Sequence, residues 1–197
     1  MKTILSTLFF TLTVMSSCFA QIKPDSSKHL AFKGVPIDGT LNEYVLKMKN
    51  SGFSHIGTED GVAILKGDFA SYKNCVVGVS TLKQKNLVTK ITVVFPDCDN
   101  WSSLSDNYFN LKELLSEKYG KLSDCVEKFQ SYTPTTDGSK FTQVQLGACK
   151  YYTTYETEKG TIQLSIEHDG LSRCFVKLAY FDKINGEIIK KGALDDL

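Results

Sequence analysis

The residues of this chain best suited to making or breaking bonds are its cysteines, and their spacing must decide between a staple, a metal site and a nucleophile. The stretch KNCVVGVSTLKQKNLVTKITVVFPDCDNW (73–101) sets Cys75 and Cys98 near the outer ends of two β-branched runs around a polar turn at Lys85-Asn86. If those runs pair as a hairpin, facing residue numbers sum to about 172–174, so Cys75 faces residue 97, 98 or 99. Setting Val77 and Val79 against Phe95 and Val93 offsets the cysteines by one position, which Pro96 absorbs at the strand end. A bridge needs Cα atoms about 4.4–6.8 Å apart, and this pairing delivers that. A zinc site instead wants Cys-x-x-Cys ligands with histidines close by. The chain has no Cys-x-x-Cys and no histidine between 56 and 167. Cys75–Cys98 is therefore expected as a disulfide, ahead of free buried thiols or a metal. Cys125 and Cys149 make the second expected disulfide, closing the turn-rich loop TPTTDG (133–138). Closing a loop of that size stabilises by roughly 3–4 kcal/mol in the chain-entropy account. Cys174, in SRCFVKLAY, is left over as a free thiol that behaves as a buried hydrophobe.

Other clusters offer less. In IEHDG (166–170), Glu167, His168 and Asp169 could move protons, with Cys174 as a thiol nucleophile. The same residues between two strands form a hairpin turn, because Asp-Gly readily takes positive φ. A hairpin centred near 169–170 would set Cys174 against residue 165, away from His168, and the turn is the expectation. DCDN (97–100) starts like a calcium loop, yet it lacks the glycine at the sixth position and has Tyr108 where the terminal glutamate belongs. A strand-to-helix turn is expected there. His29 and His55 have no evident partners, and no Gly-x-Ser-x-Gly, His-Glu-x-x-His or phosphate-cradling loop occurs. No catalytic residue, metal site or cofactor is assigned. CKYYTTYETEKG (149–160) alternates Tyr151, Thr153 and Tyr155 with Tyr152, Thr154 and Glu156. Tyrosine is enriched at contact surfaces, so Tyr151, Tyr152 and Tyr155 are the candidate interaction surface, beside the plainer reading that they only cover the sheet.

The elements that must position these residues are legible as periodicity. Thr40-Leu-Asn-Glu43 is a capping box, and Leu41, Tyr44, Val45 and Met48 recur at helical spacing up to Gly52. Strands are predicted near 53–57, 62–69, 74–83 and 87–95. Ser102 or Ser103 then caps a second helix, with Trp101, Leu104, Tyr108, Leu111 and Leu115 as its apolar stripe and Gly120 ending it. Strands follow near 122–130, 149–157, 160–168 and 172–182, with a long insertion at 132–146 that is partly loop and partly helical. The expected class is α+β: two tandem helix-plus-four-stranded antiparallel meander units forming a sheet with helices on one face. The first unit covers 32–98 and the second 99–183, with a flexible lead-in at 21–31 and a charged C-terminal tail at 184–197 whose last residues are expected to be loose.

The N-terminus MKTILSTLFFTLTVMSSCFAQ reads as a signal peptide over 1–20, with a positive start, an apolar stretch of about a dozen residues and small residues before Gln21. Export is expected, to the periplasm or the medium. The alternative is a lipid anchor at Cys18, since Ser16-Ser17-Cys18 resembles the end of a lipobox. About 177 residues then remain, enough to bury a core without a cofactor. The net charge of +1 and the lone Arg173 give no basic track for nucleic acid, and no later stretch is apolar enough to span a membrane. FKGVPIDG (32–39), NLKELLSEKYG (110–120), YETEKG (155–160) and FDKINGE (181–187) together resemble a group of small, uncharacterised exported proteins of Bacteroides-type bacteria. That resemblance implies export and no activity. The doubled pattern is similar in outline to the β-lactamase-inhibitor-protein fold, a likeness of architecture alone. The expected function is a non-enzymatic binding module that meets a protein or glycan through an open sheet face. The alternatives are a structural envelope component, or an enzyme centred near His168.

Overall fold

The computed structural model describes residues 28–82, 86–130, 132–195 and 197. The expected signal peptide, the cysteine at position 18 and most of the expected lead-in lie outside the described residues. The chain is α+β. A two-residue strand pair, β1 (Ala31–Phe32) and β2 (Val35–Pro36), precedes helix α1 (Leu41–Asn50). Then come β3 (Ser54–Glu59), β4 (Val62–Phe69), β5 (Tyr72–Leu82) and β6 (Leu87–Val94). Helix α2 (Trp101–Tyr119) leads to β7 (Asp124–Phe129), α3 (Asp137–Gln145), β8 (Cys149–Thr157), β9 (Gly160–Asp169), β10 (Arg173–Asp182) and α4 (Lys183–Asp195). Strands β3 to β10 form one antiparallel eight-stranded sheet in the order β3-β4-β5-β6-β10-β9-β8-β7. The last strand therefore sits at the centre, paired with β6 through Lys177↔Val94 to Phe181↔Lys90.

The helices start where their caps dictate. Thr40 and Glu43 close the expected capping box on α1. On α2 the N-cap is Asn100, which accepts from the Ser103 N–H at 2.8 Å, not Ser102 or Ser103. Ser102 is engaged elsewhere: its backbone N–H and hydroxyl both donate to Asp137 Oδ1, and the Trp101 N–H donates to Asp137 Oδ2. A carboxylate at the head of α3 thus serves donors that the first turn of α2 cannot satisfy itself. The apolar stripes of α1 and α2 join Val77, Val93, Leu164, Val176 and Tyr155 in one core on a single face of the sheet.

Three features rest on contacts that lie outside local sequence. The chain is anchored before 32: Leu30 is buried, and its N–H donates to Asp182 at 2.8 Å. The tail at 184–197 holds most of α4, whose N-cap is Asp182, accepting from the Asn185 N–H at 2.9 Å. Asn185 is itself buried and donates to the Ile37 and Val88 carbonyls at 3.0 and 2.9 Å. The β5–β6 hairpin pairs Val77 with Val93 and Val79 with Ile91, then skips Thr89 in a bulge before Thr81↔Val88. Its facing positions are thus two residues away from those that hydrophobic matching favoured.

Candidate functional site

The register fixes where each thiol goes. All five described cysteines are free: Cys75, Cys98, Cys125, Cys149 and Cys174. Continuing Val76↔Val94 by one step puts Phe95, not Cys98, across from Cys75. The Cys75 thiol is buried and points to the Tyr72 and Phe69 carbonyls, at 3.7 and 3.9 Å. Cys125 faces Thr153, while Cys149 faces Phe129 at the other end of the β7–β8 ladder. Four residues of strand separate them, about 13 Å, beyond the reach of a disulfide. Both expected bridges are thereby corrected. The Cys98 backbone instead pairs with that of Cys174 across an antiparallel step, both thiols free, with the Cys98 N–H donating to the Cys174 carbonyl at 2.8 Å.

The turn that carries His168 is also wider than expected. Cys174 pairs with His168 and Arg173 with Asp169, so the loop is Gly170 to Ser172 and not a two-residue Asp-Gly turn. Extending the β8–β9 register by three steps brings Cys149 level with His168. Cys98, Cys174, His168 and Cys149 therefore form one row across four chain segments, on the helix-covered face. His168 stays exposed, bonds through Nδ1 to the Gly170 carbonyl region at 3.1 Å, and lies against Gly147, where an added Cβ would stand 3.1 Å from its Nε2. Burial pushes the Cys149 thiol up to about 12, with Cys174 adding to it.

At the Cys98 end of this row opens a cavity of about 660 Å³, lined by Asp97, Cys98, Asp99, Ser103 and Asn107 together with Phe141, Gln145 and Ser172. Asn107 holds the site together: its amide nitrogen donates to Cys98 Sγ at 3.3 Å, and its oxygen accepts from the Tyr72 hydroxyl at 3.2 Å. Gln145 ties α3 to the Leu171 carbonyl at 2.7 Å. Arg173 grips both oxygens of Asp97, at 2.9 and 3.2 Å, and Asp169 at 3.3 Å. DCDN is thus a crossover clamped by an arginine and capped by Asn100, and among the described residues no group of three or more metal-ligating side chains gathers. Local sequence offered no signal for Asn107, Phe141 or Gln145, because they meet only through the packing of α2 and α3.

The tyrosines divide as alternation requires, though toward unexpected sides. Tyr155 is fully buried and donates to the Lys112 carbonyl at 2.9 Å, with the Ser116 hydroxyl also at 2.9 Å. Tyr151 packs edge-on to Trp101, with ring centres 5.2 Å apart, and against Phe129 and Tyr108. Both lie on the helix-covered face as contacts of α2, Tyr155 fully buried and Tyr151 half-buried. Of the three, Tyr152 alone lies on the opposite face, donating to Asp124 Oδ2 at 2.7 Å beneath the Lys150 ammonium.

That opposite face is a continuous band. The paired positions Val76, Val94, Lys177, Ser165, Tyr152 and Val126 cross it in one row, and Gly78, Thr92, Ala179, Gln163 and Thr154 in the next. Most of these residues are half-exposed, while Ser165 and Ala179 are buried at 6% and 2% exposed. Lys177 pairs with Glu167 at 2.6 Å, and Lys90 lies over the Phe181 ring at 4.9 Å. Burial, then the Lys177 charge, hold the Lys90 ammonium below its usual range, with Glu167 opposing. On the helix side, Lys112 meets Glu127 and approaches Cys125 Sγ at 3.6 Å, while the Tyr108 hydroxyl donates to Glu127 at 3.1 Å. Burial works to raise the Glu127 carboxyl, and hydrogen bonds from Lys112, Cys125 and Tyr108 outweigh it and lower it overall. His29 meets Asp182 at 3.0 Å and His55 meets Thr58 at 3.0 Å, so both histidines have partners. Among the described residues no helix is long and apolar enough to cross a membrane. Compared with family models, curated proteins and solved structures, the chain matches none of them.

Proposed function

We propose that the protein is an exported, non-enzymatic binding module that contacts a protein or glycan through the open face of its sheet. The observation that supports this most is the asymmetry of that sheet. One face carries the core and the apolar stripes of α1 and α2, while the other presents half-exposed valine, tyrosine and phenylalanine positions among threonines and lysines. Such a mix of apolar area and hydrogen-bonding rim is what contact surfaces are made from. We read α1 with β3–β6 and α2 with β7–β10 as two tandem units, joined edge to edge at β6 and β10. Joining them widens the face beyond what four strands offer. The outline likeness to the β-lactamase-inhibitor-protein fold fits a scaffold of this kind. Against an enzyme near His168 stands the state of the neighbouring thiols. Burial raises Cys174 and Cys98 above the ordinary thiol range, which disfavours a nucleophile at neutral pH.

The test is capture from the native envelope and on a glycan array. Tyr152→Ala with Phe175→Ala removes two rings from the open face without touching the core. The double variant is expected to lose the partner held by the unaltered protein. Equal capture by both proteins would refute the face, and no capture by the unaltered protein would refute the binding reading.

A further inference from the structure

We propose that Cys98 and Cys174 are a redox pair that closes to a disulfide by exchange with a small-molecule disulfide entering the cavity that Cys98 lines. Three observations carry this. The two residues are directly opposed across an antiparallel step, which holds Cα atoms about 4.5–5.5 Å apart with both side chains on one face. That separation lies inside the range a disulfide spans. Access is unequal: Cys98 is part-exposed and lines the cavity of about 660 Å³, while Cys174 is fully buried and does not line it. Among the described residues no other thiol competes for Cys174. Cys149 lies two strands away, about 9–10 Å between Cα atoms, and Cys75 is turned to the Tyr72 and Phe69 carbonyls.

The order of events follows from access. The Cys98 thiol gives its proton to solvent, helped by the Asn107 amide that donates to Sγ at 3.3 Å, and its thiolate attacks the reagent R–S–S–R. The reagent's S–S bond breaks, one R–S⁻ leaves and takes up a proton, and Cys98 carries a mixed disulfide. The Cys174 thiol then loses its proton, and its thiolate attacks the Cys98 sulfur and expels the second R–S⁻. Two protein thiols are oxidised, one reagent disulfide is reduced to two thiols, and the protons balance. Burial raises both thiols, Asn107 opposes it at Cys98, and Asp97 and Asp99 add to it, so the exchange is slow at neutral pH. Closure would staple the Pro96–Asp99 crossover to β10 beside the cavity.

The experiment holds the reduced full-length protein at a series of oxidised-to-reduced glutathione ratios, unfolds it in an alkylating reagent and maps the peptides. The expected result is one linked pair, Cys98 with Cys174, and alkylated Cys75, Cys125 and Cys149. In Cys174→Ser, Cys98 should retain one glutathione; in Cys98→Ser, Cys174 should stay unmodified while folded. Alkylation of all five of Cys75, Cys98, Cys125, Cys149 and Cys174 at the most oxidising ratio would overturn the proposal. So would a link between any other two of the five, or glutathione on Cys174 in Cys98→Ser.

Discussion

Replacing Asp182 with alanine removes one acceptor that three donors share. Its oxygens take the Leu30 N–H at 2.8 Å, the Asn185 N–H at 2.9 Å and His29 Nδ1 at 3.0 Å. Leu30 is only 4% exposed, so its orphaned N–H loses water as well as its partner, a cost of about 1–3 kcal/mol. The Asn185 N–H belongs to the first turn of α4, and losing a helix cap costs about 1 kcal/mol. His29 is part-exposed and can rehydrate, so its share is small. The expected loss is about 3 kcal/mol, a large fraction of the roughly 5–15 kcal/mol that holds a domain together. Urea unfolding, followed through the single tryptophan, Trp101, and by far-ultraviolet circular dichroism, reads this directly. With a slope of about 2 kcal/mol per molar, the midpoint should fall by about 1.5 M at unchanged slope. Asp182→Asn keeps one acceptor oxygen and should fall by less. A midpoint within about 0.3 M of the parent for Asp182→Ala would refute the view that this carboxylate ties the two ends of the chain to the sheet.

Gly160 sits at φ +151°, and a Cβ there would stand 2.1 Å from the Phe181 carbonyl oxygen, so Gly160→Ala should cost about 3 kcal/mol or more by the same urea titration. Tyr151→Ala strips a ring from Trp101, Phe129 and Tyr108 and should cost about 3 kcal/mol, whereas Tyr152→Ala should stay within about 0.5 kcal/mol. The hydrogen bond from the Ser102 hydroxyl, against an opposing effect of burial and with the Ser102 and Trp101 N–H groups, holds Asp137 below its ordinary 3.8. A depressed carboxyl stabilises above its unfolded value and loses that contribution as pH falls through its folded one. Asp137→Asn should therefore melt at a lower temperature than the parent near neutrality, with the gap closing as pH falls past the ordinary 3.8 and through the depressed folded value. An unchanged gap at pH 2 would show that charge plays no part.

What was legible in the sequence is what neighbours along the chain decide. The stripe Trp101, Leu104, Tyr108, Leu111 and Leu115 is buried throughout, and so is Leu41, Tyr44, Val45 and Met48, because a helical period leaves one face to hide. The thiol pairing was not legible. It depends on β10 entering beside β6, a contact between residues about eighty positions apart, and on a bulge at Thr89 that no local pattern marks. The tyrosine alternation was readable, yet the side it turns to the helices was not, because either set of a period-two strand can face the core. The cap at Asn100 escaped notice because Ser102, an equally good capping residue, is occupied by Asp137 from 35 positions away.

The place of β10 has a consequence for how the molecule comes into being. Until the residues from Arg173 onward are in hand, β6 and β9 each present an unpaired rim, and the four-stranded piece β3–β6 and the three-stranded piece β7–β9 have nothing to join them. Pairings this distant along the chain are slow to form. A chain cut short before Arg173 would carry two sticky margins instead of one continuous sheet, so truncated products should aggregate while the complete chain closes its own seam.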